Sequence, residues 1–194
     1  EATENIQHAV REALILFMRE SRAAVGEMYM TAECRQEDLA FDTPACQRIV
    51  SIIGVYEAPH CQDAVWTPHW RELPPSQPGA YHGWWTDEID GGNETLWLGS
   101  PYTRKTKLAV RYTWSIKRDD CMVPDWIYED YADVIAAGAL ASIHSNPFVD
   151  QASPKLAASM QAAMALGIAR ARNRRVAQMR PGPRRAGVSN FWGG

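Results

Sequence analysis

Lys107-Leu108-Ala109-Val110-Arg111-Tyr112-Thr113-Trp114-Ser115-Ile116 alternates in polarity, whereas Val123-Pro124-Asp125-Trp126-Ile127 and the run Tyr131-Ala132-Asp133-Val134-Ile135-Ala136-Ala137-Gly138-Ala139-Leu140-Ala141 do not. In the first stretch Leu108, Val110, Tyr112, Trp114 and Ile116 fall on one face, and Lys107, Ala109, Arg111, Thr113 and Ser115 on the other. Period two predicts a half-buried antiparallel strand. In the second, Tyr131, Val134, Ile135, Gly138 and Ala141 or Ala139 recur at helical spacing, which predicts a helix over 126–145. A change of period over so short a distance makes this an α+β chain.

Downstream, Asn146-Pro147 ends that helix, because the residue before proline is biased out of the helical region. Ser153-Pro154 restarts it, with an N-cap followed by proline at the first helical position. The third helix carries Leu156, Met160, Ala163, Met164, Gly167, Ile168 and Ala171 on one stripe, and Gly167 is expected opposite Gly138 at a close helix crossing. Beyond it, Arg180-Pro181-Gly182-Pro183-Arg184-Arg185 and the end at Phe191-Trp192 predict an extended basic arm that orders on a partner.

Upstream, Gln47 to Tyr56 reads as a buried strand, and Gly83–Thr86 and Thr95–Leu98 flank the hairpin signal Asp90-Gly91-Gly92-Asn93. A small β region of about four or five strands is expected. The chain opens on an amphipathic helix with Ile6, Ala9, Val10, Ala13, Leu14, Phe17 and Met18 on its apolar stripe, Thr3 as N-cap and Gly26 as stop. The expected architecture is therefore a bundle of about three main helices (1–26 and 121–179), an inserted antiparallel β domain (27–120) and an extended arm (180–194).

The net charge of -3 conceals an asymmetry. Residues 1–150 hold 12 basic and 23 acidic side chains, a charge of -11, whereas the remainder holds no acid and eight bases, Lys155, Arg170, Arg172, Arg174, Arg175, Arg180, Arg184 and Arg185. Such polarity suits stacking of subunits or a basic tail on an acidic surface. No run approaches the roughly 18 apolar residues of a membrane span, and no secretory pattern opens the chain. It is expected to fold in a host cytoplasm, with something missing ahead of Glu1.

The chemistry-bearing residues do not assemble into a motif. Cys34, Cys46, Cys61 and Cys121 lack the paired spacing of a zinc site, and only Cys61 with His60 or His69 comes near one. Asp87, Glu88 and Asp90 lack the order of a calcium loop and read as a solvated hairpin tip. The sequon Asn93-Glu94-Thr95 matters only in a secreted chain. Trp66 with Trp70 and Trp84 with Trp85 lack the interleaved bases of a nucleic-acid platform, so packing is their expected use. No catalytic residue, metal or cofactor is expected.

Three stretches, in order, carry a resemblance. They are the opening helix with Arg11-Glu12-Ala13 and Phe17-Met18-Arg19-Glu20-Ser21-Arg22; Glu94-Thr95-Leu96-Trp97-Leu98 with Lys107 to Tyr112; and the Pro124-Asp125-Trp126 helix followed by the Ser153-Pro154 helix that ends in Arg170-Ala171-Arg172-Asn173-Arg174. In these the chain, from roughly Ile6 to Arg175, resembles the head-to-tail adaptor proteins of tailed bacteriophages, the group that includes the tail tubular adaptor of short-tailed coliphages. It departs from them in the spacer Phe148-Val149-Asp150-Gln151-Ala152 and in the longer, more aromatic arm.

The resemblance implies a structural virion protein at the head-tail junction. It implies a homo-oligomeric ring, a dodecamer in that family, which docks on the portal protein, receives the tail tube or nozzle protein, and passes DNA without sequence-specific binding. The arm residues Arg180, Arg184, Arg185, Phe191 and Trp192 are the expected portal contact, with arginines on acidic patches and Trp192 in a pocket. Arg170, Arg172, Arg174 and Arg175 are the expected basic helix face. Two alternatives stand beside this: a nucleic-acid-binding protein that uses the Arg-rich C-terminal part, and another virion ring such as a tail terminator or stopper.

Overall fold

The computed structural model describes residues 2–43, 46–58, 70–89, 92–117, 123–147 and 152–179. Among them lie three helices and seven strands in a mixed α+β arrangement: α1 (Ala2–Ser21), β1 (Val25–Ala32), β2 (Asp38–Ala40), β3 (Gln47–Glu57), β4 (Arg71–Leu73), β5 (Trp84–Ile89), β6 (Gly92–Leu98), β7 (Thr106–Ile116), α2 (Asp125–Ser145) and α3 (Pro154–Met179). All seven strands fall between α1 and α2. They form an antiparallel four-stranded sheet of order β1-β7-β3-β4 and an antiparallel three-stranded sheet of order β2-β6-β5.

β7 forms where alternation predicts a strand, but it is not half-buried. Leu108, Val110, Tyr112 and Ile116 are buried, and so are Ala109, Thr113 and Ser115 on the opposite face. The reason is its place between β1 and β3. Ala109 is flanked by Tyr29 and Tyr56, Arg111 pairs with Glu27 at 3.1 Å, and the Thr113 hydroxyl meets that of Ser51 at 2.8 Å. Small side chains in a central strand are covered by their longer cross-strand neighbours. β3 is bulged at Val50 and Ile53, each unmatched on β7, which accounts for an apolar run that obeys neither alternation nor helical spacing.

The expected hairpin is β5–β6, paired from Trp84↔Leu98 to Ile89↔Gly92. Seven strands, not four or five, stand among the described residues, and β1 is one of those added, because Gly26 is not the stop of α1. The helix ends at Ser21, with Arg22 in the left-handed region (φ 52), its N–H donating to the Met18 carbonyl at 3.1 Å and the Ser21 hydroxyl accepting from the Ala23 N–H. Gly26 instead sits inside β1 under the Tyr112 ring, where an added Cβ would fall 2.6 Å from a ring carbon. Thr3 likewise lies inside α1, which is already helical at Ala2. β2 and β4 are three residues each, too short to show any period.

Two clusters of buried side chains result. One joins the helices to the end of β7: Ala9, Ala13, Leu14, Phe17 and Met18 of α1, Ile127 and Ile135 of α2, Met164 and Ala171 of α3, and Ile116. The other lies among the strands, around Val55, Leu96, Leu108 and Val110. The α1 stripe matches expectation except at Ile6, which is 53% exposed.

α2 ends at Asn146, whose backbone is extended, and the Ser153 hydroxyl accepts from the Leu156 N–H at 3.4 Å at the start of α3. Gly138 and Gly167 do mediate close helix approach, but not against each other. Gly138 receives the Met164 thioether of α3 and the Ala13 methyl of α1, and Gly167 receives Val134 of α2. The buried side of α3 runs through Ala157, Met164, Gly167 and Ala171, leaving Leu156 and Ala163 of the expected stripe exposed.

An added Cβ at Gly167 would overlap both γ-methyls of Val134, a short branched side chain with no long flexible end to swing aside. Gly167→Ala should therefore lose about 1–3 kcal/mol to overpacking, against a gain of about 1 kcal/mol that helix propensity alone would give. Urea unfolding checks the sign through the transition midpoint at unchanged slope.

Candidate functional site

Three local features converge where α1 hands over to β1. The left-handed Arg22 turns the chain so that Ala23 and Val25 face the first turns of α2. Pro124 precedes α2 and places Trp126, Asp130 and Tyr131 on one side of it. From the distal half of α3 come Ala171, Arg174 and Arg175. Together these residues enclose a cleft of about 300 Å³. Its aromatic wall is braced from below: Tyr131 packs on the buried Phe17 at 4.8 Å between ring centres and meets Trp126 edge-on at 6.4 Å.

The four helical arginines expected to form one basic face are distributed among different tasks. Arg172 bonds the Glu20 carboxylate at 2.9 Å and also donates to the Glu20 backbone carbonyl. Arg174 pairs with Asp130 at 3.0 Å. These two therefore fasten α3 to α1 and to α2, and their charge is already matched. Arg170 is exposed on the outer side of α3. Arg175 is half-buried, its Nε–H is fully enclosed without an acceptor, and desolvation followed by the nearby charge of Arg22 lowers its pKa. The residue types were right, but a shared free face is not what they form. The arm residues Arg180, Arg184, Arg185, Phe191 and Trp192 lie outside the described residues, as do Cys61, Cys121, His60, His69, Trp66 and Asp90.

No family model matches this chain, and no curated protein matches it. Its chemistry must be read from its own side chains.

Elsewhere the sheets bring together residues that no spacing connects. The Tyr102 hydroxyl donates to Glu57 at 2.8 Å, and Arg71 holds the other oxygen of that carboxylate at 2.5 Å. Arg104, Lys105 and Lys107 complete the lining of a cavity of about 250 Å³, with Lys105 bonded to Glu33 at 2.6 Å. Burial, the bond to Glu57 and the charge of Glu57 all push the Tyr102 phenol above its ordinary range. It is a fixed donor near neutral pH, not an acid or base. The adjacent tryptophans divide: Trp84 is buried and donates to the Leu73 carbonyl, whereas Trp85 stacks on Trp97 at 6.3 Å, and Trp97 donates to Asp87 at 2.6 Å. Among the described residues no group of His, Cys, Asp or Glu is placed to hold a metal ion, and no helix is long and apolar enough to cross a membrane.

The sequence singles out Arg175 and the Pro124-Asp125-Trp126 segment but does not join them, and it offers Arg22 only as the end of the opening helix stretch. Only the non-glycine left-handed turn after α1 brings these together, and a Ser-Arg-Ala sequence does not announce such a turn.

A buried donor without a partner costs about 1–3 kcal/mol. Arg175→Met should therefore leave stability unchanged or raise it by about 1 kcal/mol, whereas Arg174→Met should lose no more than about 1 kcal/mol, since its ion pair is exposed. Urea unfolding of both variants tests this contrast. The phenols of Tyr56, Tyr102 and Tyr112 all have raised pKa values, with burial the leading cause in each. An unfolded tyrosine releases its proton first, at about pH 10, so stability is full below that value and falls as pH rises towards the folded pKa values. Tyr102→Phe should flatten that alkaline decline, read as unfolding midpoints across the pH series.

Proposed function

We propose that the chain is a structural subunit of a tailed-phage virion, a head-to-tail adaptor that assembles as a ring joining the portal to the tail and lining the channel through which DNA passes. The observation that carries the self-assembly is the outer side of α3. Between Lys155 and Arg170 this helix contains no charged residue. It packs against α1 and α2 on one side only, and Ala162, Ala163, Ala165, Leu166 and Ala169 remain exposed, Leu166 at 54%. Leu140 of α2 is also exposed. An uncharged stretch of helix whose exposed side is mostly alanine and leucine, broken only by Ser159 and Gln161, is suited to packing against another surface, and exposed apolar residues of this kind mark an association face. In a ring, each subunit offers two different faces to its neighbours, and an uncovered helix side is one half of such a contact.

The resemblance supports the more specific reading, with one helix before the strands and two after them in the order it requires. The nucleic-acid alternative has lost two of its helical cations, since Arg172 and Arg174 are neutralised by Glu20 and Asp130. The portal contact is proposed for the arm, through Arg180, Arg184, Arg185, Phe191 and Trp192.

Light scattering on purified protein, alone and mixed with portal protein, should show assemblies larger than one subunit, with rings in negative stain. Leu166→Glu, at a solvated position of unchanged helix propensity, should leave a folded protein that stays a single subunit. A wild-type chain that remains a single subunit at every concentration and binds no portal would remove the proposal. Deleting residues 180–194 should leave the ring but abolish joining to portal-bearing heads.

A further inference from the structure

The cleft beside Arg175 has a combination of features that the ring contact on the far side of α3 leaves unused. Its guanidinium is partly desolvated, one N–H is enclosed and unanswered, and the neighbouring Arg22 repels it. Among the described residues no carboxylate pairs with either arginine. Two like charges held together without an anion are an unfavourable arrangement that an incoming negative group relieves. The apolar walls of the cleft are Trp126, Tyr131, Ala23, Val25 and Ala171, and the remaining lining beside Arg175, Asp130 with Arg174, is already paired to itself. We propose that this cleft is a recognition site for a single carboxylate carried on an apolar or aromatic group of a protein partner.

Size and surroundings choose this ligand over a polyanion. A nucleic-acid backbone requires an extended track of free cations. Here the adjoining arginines are neutralised by Glu20 and Asp130, and Asp125 and Glu129 stand exposed on the same end of α2. The unmatched positive charge is thus local and flanked by acid. A carboxylate accepts from a guanidinium through paired N–H donors, and here it would do so from the part of the Arg175 side chain that lines the cleft.

Benzoate is the probe, with benzamide as its uncharged counterpart. Titration should shift the Arg175 Nε–Hε resonance saturably and raise the melting temperature, while benzamide does neither. Arg175→Met, which keeps the fold by circular dichroism, should weaken benzoate binding about tenfold or more, and Trp126→Ala should weaken it without moving the enclosed N–H to solvent. Absence of a saturable shift, an equal response to benzamide, or undiminished binding to Arg175→Met overturns the proposal. Protection by short duplex DNA that exceeds benzoate, with inorganic phosphate behaving alike, overturns it in favour of a polyanion. Diluting the protein without additive identifies the carboxylate's source. A resonance that moves with concentration and is restored by benzoate assigns it to a second copy of this chain, and one that does not move assigns it to a different protein.

Discussion

β7 is buried on both faces, and the two hydrophobic clusters depend on that burial. Its Leu108 and Val110 lie among the strands, while Ile116, on the same face six residues further along from Val110, lies among the helices. A strand rises about 3.3 Å per residue, so one strand is long enough to serve two cores in succession. β1 and β3 must flank it, because Ala109 and Thr113 are too small to exclude water without Tyr29, Tyr56 and Ser51 beside them. The placement of α1 follows from this, since β1 continues directly from its C-terminal turn and the Ala24 carbonyl accepts from the Trp114 N–H at 3.0 Å.

The three helices meet through pockets left by absent side chains. Gly138 admits a flexible thioether of α3 and a methyl of α1, and Gly167 admits a rigid branched side chain of α2, so the helices approach closely at these two points. This packing consumes one side of α3 and leaves the other apolar and uncovered. A lone chain carries that surface into water, and the proposed assembly rests on this helix without charge over fourteen positions.

Charge is sorted with equal economy. The basic character after Asp150 looks like a single property in the chain, yet in the fold each helical arginine has its own surroundings. Arg172 and Arg174 tie α3 to its neighbours, Arg170 faces outward, and Arg175 lines a cleft where, among the described residues, no carboxylate pairs with it. Helical geometry produces much of this division: residues one or two apart point towards different sides of the helix, so a cluster in sequence becomes separate contacts in space.

Local pattern alone determined the α+β class, the hairpin of β5 and β6, the extended backbone of β7, the breaks at Asn146 and Ser153, and most of the apolar stripe of α1. Each of these is a short-range effect: a backbone period, a cap or a proline restriction. The tertiary structure decided what depended on distant neighbours. It showed Gly26 to be a seat for Tyr112 and not a helix stop, β7 to be enclosed on both sides, and Gly138 and Gly167 to face side chains instead of each other. It also placed Arg22 and Arg175 together across more than a hundred and fifty positions of chain. Burial and pairing belong to the surroundings a residue is folded into, and one-dimensional spacing carries no record of them.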